Sequence, residues 1–238
     1  GQYVRWLLLG ALTGIVVGGV CSLFSWCLVF AADIRTACHY TFLLLPLCGL
    51  IIVFLYKKLN YEENKGTDSV IESIHSDISL SPKMAFLIFV STVITIFGGG
   101  SVGREGAAVQ IGGSLGKTLG DILRFDDKDK RIIIMSGIAA AFSALFGTPM
   151  TASLFAIEVA SIGTMYYAAL VPCICAALIS KKIAALLGVK EDAFHVFNDL
   201  PLSVPSGLKV VFLAACCAAV SILFCLTLQL AHKLLHRC

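Results

Sequence analysis

The sequence predicts an all-α, polytopic membrane protein in which long apolar helices alternate with short, broken ones. Hydrophobic residues make up 58% of the 238 residues and charged residues 14%, whereas soluble domains are nearer half apolar and a quarter charged. The mean hydropathy of +0.91 agrees with this class. At about 1.5 Å per residue, six charge-free stretches are long enough to cross a hydrocarbon layer of about 30 Å. They are residues 6–32, 36–56, 84–103, 132–157, 159–180 and 210–232.

Composition disfavours several other classes of protein. The net charge of +3 is small, and the sequence has no basic stripe with interleaved aromatics, so we expect no nucleic-acid partner. Most of the ten cysteines lie inside apolar runs and none forms a CxxC pair. They are interpreted as small hydrophobic residues of membrane helices, and neither a metal site nor a cofactor is predicted.

The segment 98–123 is unusual because it is rich in glycine, has apolar sequence on both sides, and contains the adjacent charges Arg104 and Glu105. A helix is predicted to begin after Gly103, with Glu105 in its first turn, where a carboxylate suits the helix dipole. Broken helices at membrane depth are tolerated where the backbone is buried or lines a cavity. Short, glycine-interrupted segments therefore indicate a binding site.

Two interpretations of Arg104 and Glu105 stay open at this point. The first is structural: a salt-bridged pair, or the solvated end of a loop. The second is functional, because ionisable groups inside a membrane are costly and usually serve transport. Backbone N–H groups at a helix start bind anions, and an ionised Glu105 would occupy the anion's place. Once protonated it would be neutral and could swing away, which would couple anion movement to protons.

Other short elements surround this segment. Proline is favoured at the first position of a helix, so Gly147-Thr148-Pro149 predicts a new helix over residues 149–160. Another helix is expected to begin near Gly66, with Val70, Ile71 and Ile74 on one face. His75 and Asp77 at its polar end are interpreted as solvated. In the first apolar stretch, small residues predict close helix packing, at Gly10, Gly14, Gly18 and Gly19.

The glycine-rich segment contains the block GGGSVGREGAAVQIGGSLG, which resembles the second signature of the CLC family of anion channels and transporters. The downstream run SGIAAAFSALFGTPMTASLFAIEVA is similar to the family's next helix pair. The resemblance extends over nearly the whole chain and implies a CLC-type helical fold, as one of two inverted repeats. It also implies that Glu105 is the gating glutamate, and that the anion-coordinating helix start is the backbone of Gly103, Arg104, Gly106 and Ala107.

The chain departs from the family pattern at two places. The first signature, GSGIP, is replaced by Gly66-Thr67-Asp68-Ser69-Val70. The resemblance implies anion contacts from Gly66, Thr67 and Ser69, with Thr67 in the position of the family's anion-binding serine. The alternative is that Thr67 caps the following helix. Two adjacent glutamates of the chloride antiporters correspond to Glu158 and Val159, so the second one, the inner proton acceptor, is missing.

Three features resemble the fluoride-exporting branch: Ala107 in place of a proline, the altered first signature, and the residues that follow Glu158. The resemblance thus implies exchange of fluoride for protons, with a chloride channel or chloride/proton exchanger as the alternative. It further implies a multi-pass protein of the cell membrane, with a bacterial plasma membrane expected, and a homodimer for the full-length protein.

By the same resemblance, residues 1–188 are first-half membrane helices with pore loops, 189–207 a linker, and 208–238 the start of the next membrane helix. The chain begins with Gly1 rather than Met and lacks the family's third signature, so we expect half of a longer protein. An enzyme is not expected, because there is no HExxH motif and no histidine beside the glycine-rich loop. A non-transporting scaffold would not need a charged pair in a broken helix.

Overall fold

The computed structural model describes residues 2–37, 39–61, 66–67, 70–71, 73, 81–159, 166–190 and 203–235. Every regular element among these residues is helical and none is a strand, so the prediction of an all-α fold is confirmed. Some predicted positions lie outside the described residues: Asp68, Ser69, Ile74, His75 and Asp77.

Eight α-helices and two short 3₁₀ helices are defined within those ranges. The α-helices are α1 (Gln2–Ala37), α2 (Leu45–Lys58), α3 (Pro82–Phe97), α4 (Glu105–Ile122), α5 (Asp127–Phe146), α6 (Pro149–Val159), α7 (Leu170–Leu186) and α8 (Val204–Leu235). The 3₁₀ helices His39–Leu44 and Tyr167–Ala169 precede α2 and α7. Thr67, Val70, Ile71 and Ser73 also have helical backbone.

Four helical segments are long and apolar enough to cross a membrane by length and composition: Val4–Ala37, Tyr40–Lys58, Tyr167–Leu186 and Val204–Ala231. Helices α3 and α6 are apolar but shorter. The chain divides into two compact units, Gly1–Asp192 and Ala193–Cys238. The second unit contains α8, whose apolar side chains are exposed along its length. The predicted domain boundaries stay predictions.

Helix α5 forms the centre of the first unit and packs against α1, α4, α6 and α7. Its side chains are buried almost continuously from Ile132 to Leu145, which is the pattern of a helix surrounded by others. Two serine hydroxyls join the helices at this level, because hydrogen bonds between helices replace water in a lipid environment. Ser143 donates to the carbonyl of Ala177 at 2.6 Å, and Ser180 donates to that of Ala140 at 2.7 Å.

The small residues of α1 mark its contact with α7. A Cβ added at Gly10 would lie 2.8 Å from the Pro172 carbonyl oxygen, and one at Gly14 would lie 2.6 Å from that of Ala176. Gly18 faces Ser180 in the same way. Close packing is therefore confirmed at these three glycines. The prediction of close packing is wrong for Gly19, where an added Cβ would meet no atom of the described residues within 4 Å.

The charge-free stretch 132–157 does not form one span, because α5 ends at Gly147. Gly147 has a left-handed backbone (φ +70°) and its N–H donates to the carbonyl of Ser143, a conformation that favours glycine. Helix α6 then begins at Pro149, as predicted. The charge-free stretch 159–180 also differs in its bounds from the observed helix, because α7 begins at Leu170 and runs to Leu186.

Candidate functional site: the start of helix α4

The glycine-rich segment forms a turn between α3 and α4. Gly98 closes α3, and the N–H of Gly100 donates back to the carbonyl of Thr95 at 2.8 Å. Helix α4 then begins at Glu105, and its first hydrogen bond runs from the Ala108 N–H to the Arg104 carbonyl at 2.9 Å. The predicted helix start is confirmed. Helix geometry gives no intrahelical acceptor to the first N–H groups, so they remain available to an anion, and anion binding here stays a prediction.

The Glu105 side chain folds back over the end of its own helix. Glu105 is exposed. Its Oε2 atom lies 2.5 Å from the position that a Cβ atom at Gly103 would take. A side chain at residue 103 would therefore displace the carboxylate from this position. The negative charge therefore lies beside the N-terminal end of α4, where the helix dipole stabilises an anion.

Arg104 is half-buried and directs its guanidinium toward the end of α5. The guanidinium carbon lies 5.7 Å from the centroid of the Phe146 ring, a distance typical of a cation–π contact. Arg104 thus ties the turn before α4 to the break between α5 and α6, while its backbone carbonyl accepts the first hydrogen bond of α4.

The altered first signature lies next to the first turn of α4. The methyl carbon of Thr67 is 3.7 Å from the position of a Cβ at Gly106, and Val70 fills the space over Gly113, about two turns further along α4. Gly66 has a left-handed backbone with φ +66°. The structure therefore brings Thr67 to the predicted site, whereas an anion contact from Gly66 stays a prediction. An anion contact from the Thr67 hydroxyl stays a prediction. Ser69 lies outside the described residues.

A cavity of about 230 Å³ lies between α3 and the first turns of α4. Three residues of the α4 start contribute to its wall together with Gln110 of α4. The lining residues are Ile88, Ser91, Thr92, Thr95, Val102, Gly103, Gly106, Ala107 and Gln110.

Sequence reasoning missed Gln110, which is only 8% exposed. Its Nε2 donates to the carbonyl of Gly106 at 3.3 Å, while Oε1 is buried and has no hydrogen-bond partner among the residues that the structure describes. The available signal was a long polar side chain within the otherwise small and apolar run of residues 106–113.

Sequence reasoning also missed Lys181 of α7. Its ammonium group donates to the carbonyl of Gly147 at 2.8 Å, at the point where α5 ends in its left-handed turn. A charged donor to a helix-terminal carbonyl is a strong interaction. Lys181 therefore holds the break between α5 and α6 in place. Glu158, near the end of α6, is exposed.

Two short matches to enzyme motifs lie inside α4. Residues Gly112–Gly116 fit the GxSxG pattern of serine hydrolases, and Gly116-Lys117-Thr118 resembles the end of a phosphate-binding loop. Both motifs need a strand, then a turn, then a helix, whereas these residues lie in the middle of one helix. Ser114 is fully buried and donates to the carbonyl of Ser81 at 2.8 Å, and Lys117 pairs with Asp121 at 2.9 Å.

Known proteins resemble this chain over most of its length. The family model described as "Voltage gated chloride channel" matches residues 48–238. A "Chloride/fluoride channel protein" of Pseudomonas syringae pv. tomato is 34% identical over 208 residues, which cover 87% of this chain and 46% of that protein. A protein of Salmonella arizonae named "H(+)/Cl(-) exchange transporter ClcA" is 30% identical over 162 residues, which cover 63% of this chain and 34% of that protein.

Solved structures agree with the sequence matches. A crystal structure of a CLC-type fluoride/proton antiporter superposes with a TM-score of 0.80 and 30% identity, covering 88% of this chain and 53% of that one. A slow cyanobacterial Cl⁻/H⁺ antiporter shares the fold, with a TM-score of 0.66 and 17% identity over 83% of this chain and 51% of that one. The chain spans about half the length of the solved structures it matches. Because the family model covers most of the chain, the protein belongs to the voltage-gated chloride channel (CLC) family, whose signature its glycine-rich segment resembles.

Proposed function

We propose that the complete protein exchanges a halide anion, with fluoride favoured, for protons across a cell membrane, and that Glu105 couples the two. One observation carries the proposal: the Glu105 carboxylate lies folded back over Gly103 at the N-terminal end of α4. An anion attracted to the same helix end competes with the ionised carboxylate for that place. Protonation neutralises the carboxyl group and removes the competition, so anion entry and proton uptake become linked.

Backbone groups at Gly103, Arg104, Gly106 and Ala107 would then contact the anion in this proposal. Thr67 would add its hydroxyl from the neighbouring element; the proximity of its methyl carbon, 3.7 Å from the Cβ position at Gly106, supports this. The names of the similar proteins support transport of a halide, since they include a chloride/fluoride channel protein, a fluoride/proton antiporter and an H(+)/Cl(-) exchange transporter. This mechanism calls for no metal, organic cofactor or enzymatic step.

Chloride transport is the second candidate. A similar protein named as an H(+)/Cl(-) exchange transporter favours it, whereas the 30% identical structure is that of a fluoride/proton antiporter. We also propose that the complete protein is a homodimer in a bacterial plasma membrane. Its bacterial relatives support that location.

The test is substitution of Glu105 by glutamine in the complete protein, reconstituted in liposomes. Glutamine keeps the size of the side chain but cannot ionise, so anion binding is expected to persist while anion-driven proton uptake falls by roughly 10²-fold or more. Proton uptake is followed with a pH electrode, and anion binding by calorimetry in detergent.

Substitution of Glu158 by glutamine provides the matched control, because that exposed glutamate lies on α6. It should leave proton uptake unchanged. Proton uptake at the wild-type rate in Glu105→Gln would contradict the proposal.

A further inference from the structure

The beginning of α1 contacts the loop between α4 and α5. Nη2 of Arg5 donates to Oδ2 of Asp129 at 2.7 Å. The guanidinium carbon of Arg5 lies 5.6 Å from the centroid of the Trp6 ring and 5.1 Å from that of the Phe125 ring. These contacts hold the guanidinium in place, although half of the side chain is exposed. A guanidinium has five N–H donors, so Arg5 keeps donors for a further acceptor.

Arg124 lies in the same loop, directly before Phe125, and has an unusual backbone. Its φ is +53°, a left-handed conformation that side chains other than asparagine and aspartate rarely adopt. It ends α4 in the way that glycine usually does, because the Phe125 N–H donates back to the Gly120 carbonyl at 3.1 Å. Its side chain is exposed, and within the described ranges the guanidinium has no hydrogen-bond or ion-pair partner. Since glycine would suit this backbone better, the arginine indicates a use for the side chain.

Exposed apolar side chains adjoin both arginines. Val4 and Leu8, about one helical turn apart, flank Arg5 on α1 and are 58% and 66% exposed. Ile122, at the end of α4 shortly before Arg124, is 70% exposed. A candidate membrane span begins at Val4. Aromatic and basic side chains at the end of an apolar span are typical of the boundary between hydrocarbon and lipid headgroups.

The positive charge of this region exceeds the negative charge. Arg5 and residues 117–131 together supply six cationic and four acidic side chains. Three of the four carboxylates are engaged within the protein. Asp121 forms two ion pairs with lysines. Asp129 pairs with Arg5, and Asp126 accepts a backbone N–H at the start of α5. The fourth lies in the first turn of α5, where the helix dipole favours a negative charge. The region therefore attracts an anion.

We propose that Arg5 and Arg124 bind the headgroup phosphate of an anionic phospholipid, whose acyl chains lie on the exposed apolar side chains of α1 and α4. Guanidinium groups bind phosphate oxygens through paired hydrogen bonds, and basic side chains at the end of a membrane span attract anionic headgroups. The excess of positive charge favours an anionic lipid over one that carries choline. The site lies at the other end of α4 from Glu105, and the inference does not depend on the proposed function.

The experiment titrates the complete protein in detergent with phosphatidylglycerol or phosphatidylcholine and counts bound lipid by native mass spectrometry. Arg124→Gly removes the cation and suits the left-handed backbone, so this variant should keep the fold. Its apparent Kd for phosphatidylglycerol is expected to rise about fivefold, which is the contribution of one basic side chain near an anionic headgroup. Arg5→Gln should weaken binding by a similar factor.

Arg35→Gln is the matched control, because it removes the same charge at the other end of α1, about 45 Å away at 1.5 Å per residue. It should leave the Kd unchanged. The proposal is overturned if either Arg124→Gly or Arg5→Gln binds phosphatidylglycerol as tightly as wild type, if Arg35→Gln weakens binding equally, or if wild type binds phosphatidylcholine as tightly. Displacement of the lipid by millimolar inorganic phosphate would identify a site for free phosphate and would overturn it as well.

Discussion

At the scale of single residues, the site depends on side chains that the backbone breaks bring together. Gly103 leaves room for the Glu105 carboxylate, and Arg104 reaches the ring of Phe146 at the end of α5. Lys181 donates to the carbonyl of Gly147, the residue that follows Phe146. Arg104 thus joins the start of α4 to the break between α5 and α6, and Lys181 joins α7 to the same break.

Substitution of Lys181 by methionine is expected to destabilise this turn. The variant keeps an unbranched apolar side chain but leaves the Gly147 carbonyl without its charged donor, at a cost of about 1–3 kcal/mol in the free energy of unfolding. Unfolding of the complete protein by titration with SDS measures this loss. Lys182→Met is the control because the neighbouring lysine is exposed. Equal stability of the two variants would show that the hydrogen bond contributes nothing.

At the scale of helices, close packing depends on small residues on facing surfaces. Helix α1 meets α7 through Gly10, Gly14 and Gly18, and α4 meets α5 where a Cβ at Gly112 would lie 2.5 Å from the carbonyl oxygen of Gly137. In a membrane, moving an apolar side chain from lipid into the protein gives little driving force for helix association. Close approach of the helices therefore stabilises them through van der Waals contacts. The broken helices are held in place by these tight contacts.

Gly14→Ala is expected to destabilise the protein by about 1–3 kcal/mol, because the added methyl group overlaps the Ala176 backbone, which cannot move independently of α7. Gly19→Ala lies on the same helix and should leave stability unchanged or raise it, since its Cβ meets nothing within 4 Å in the described part of the chain and alanine favours a helix. Both variants are compared by SDS titration. A larger loss in Gly19→Ala would contradict the packing described for α1.

At the scale of the whole molecule, the chain represents about half of the structures it resembles. Its first unit contains the start of α4 and its immediate neighbours, and many of its apolar side chains are exposed, such as Phe54 on α2 and Phe86 on α3. In a bilayer such side chains face lipid at no cost, which agrees with helices long enough to span one. Because this chain spans about half of the structures that it matches, transport assays use the complete protein.

Efflux of fluoride and chloride from liposomes at equal gradients tests the choice of anion. Fluoride efflux is expected to exceed chloride efflux severalfold, because the first signature is altered at Thr67 and Ala107 replaces a proline. Ion-selective electrodes record both rates, and empty liposomes serve as the control. Chloride efflux at an equal or greater rate would instead place the protein with chloride carriers and make Thr67 the next residue to substitute.

The residues predicted for the α4 start could be identified because their signals are local. Glycines, a helix-start carboxylate and a proline at a first helical position act within a few residues, so the beginnings of α4 and α6 were predicted correctly. Gln110 and Lys181 were missed, since their importance comes from partners in space. The burial of the Gln110 side-chain oxygen and the hydrogen bond from Lys181 to the end of α5 cannot be recognised before the helices are packed.

By itself the sequence determined the class of the molecule, a helical membrane protein of the CLC family, and the residue that carries the exposed charge of its glycine-rich turn. Composition and short-range backbone preferences suffice for the helical membrane class and the helix starts, because they depend on transfer to lipid and on local dihedral angles, whereas the family is implied by the resemblance of the glycine-rich block. Only the tertiary structure decided that Thr67 reaches Gly106, that Lys181 donates to the carbonyl of Gly147, and that a cavity lies between α3 and the first turns of α4. These features depend on which surfaces meet, and packing between distant segments selects those.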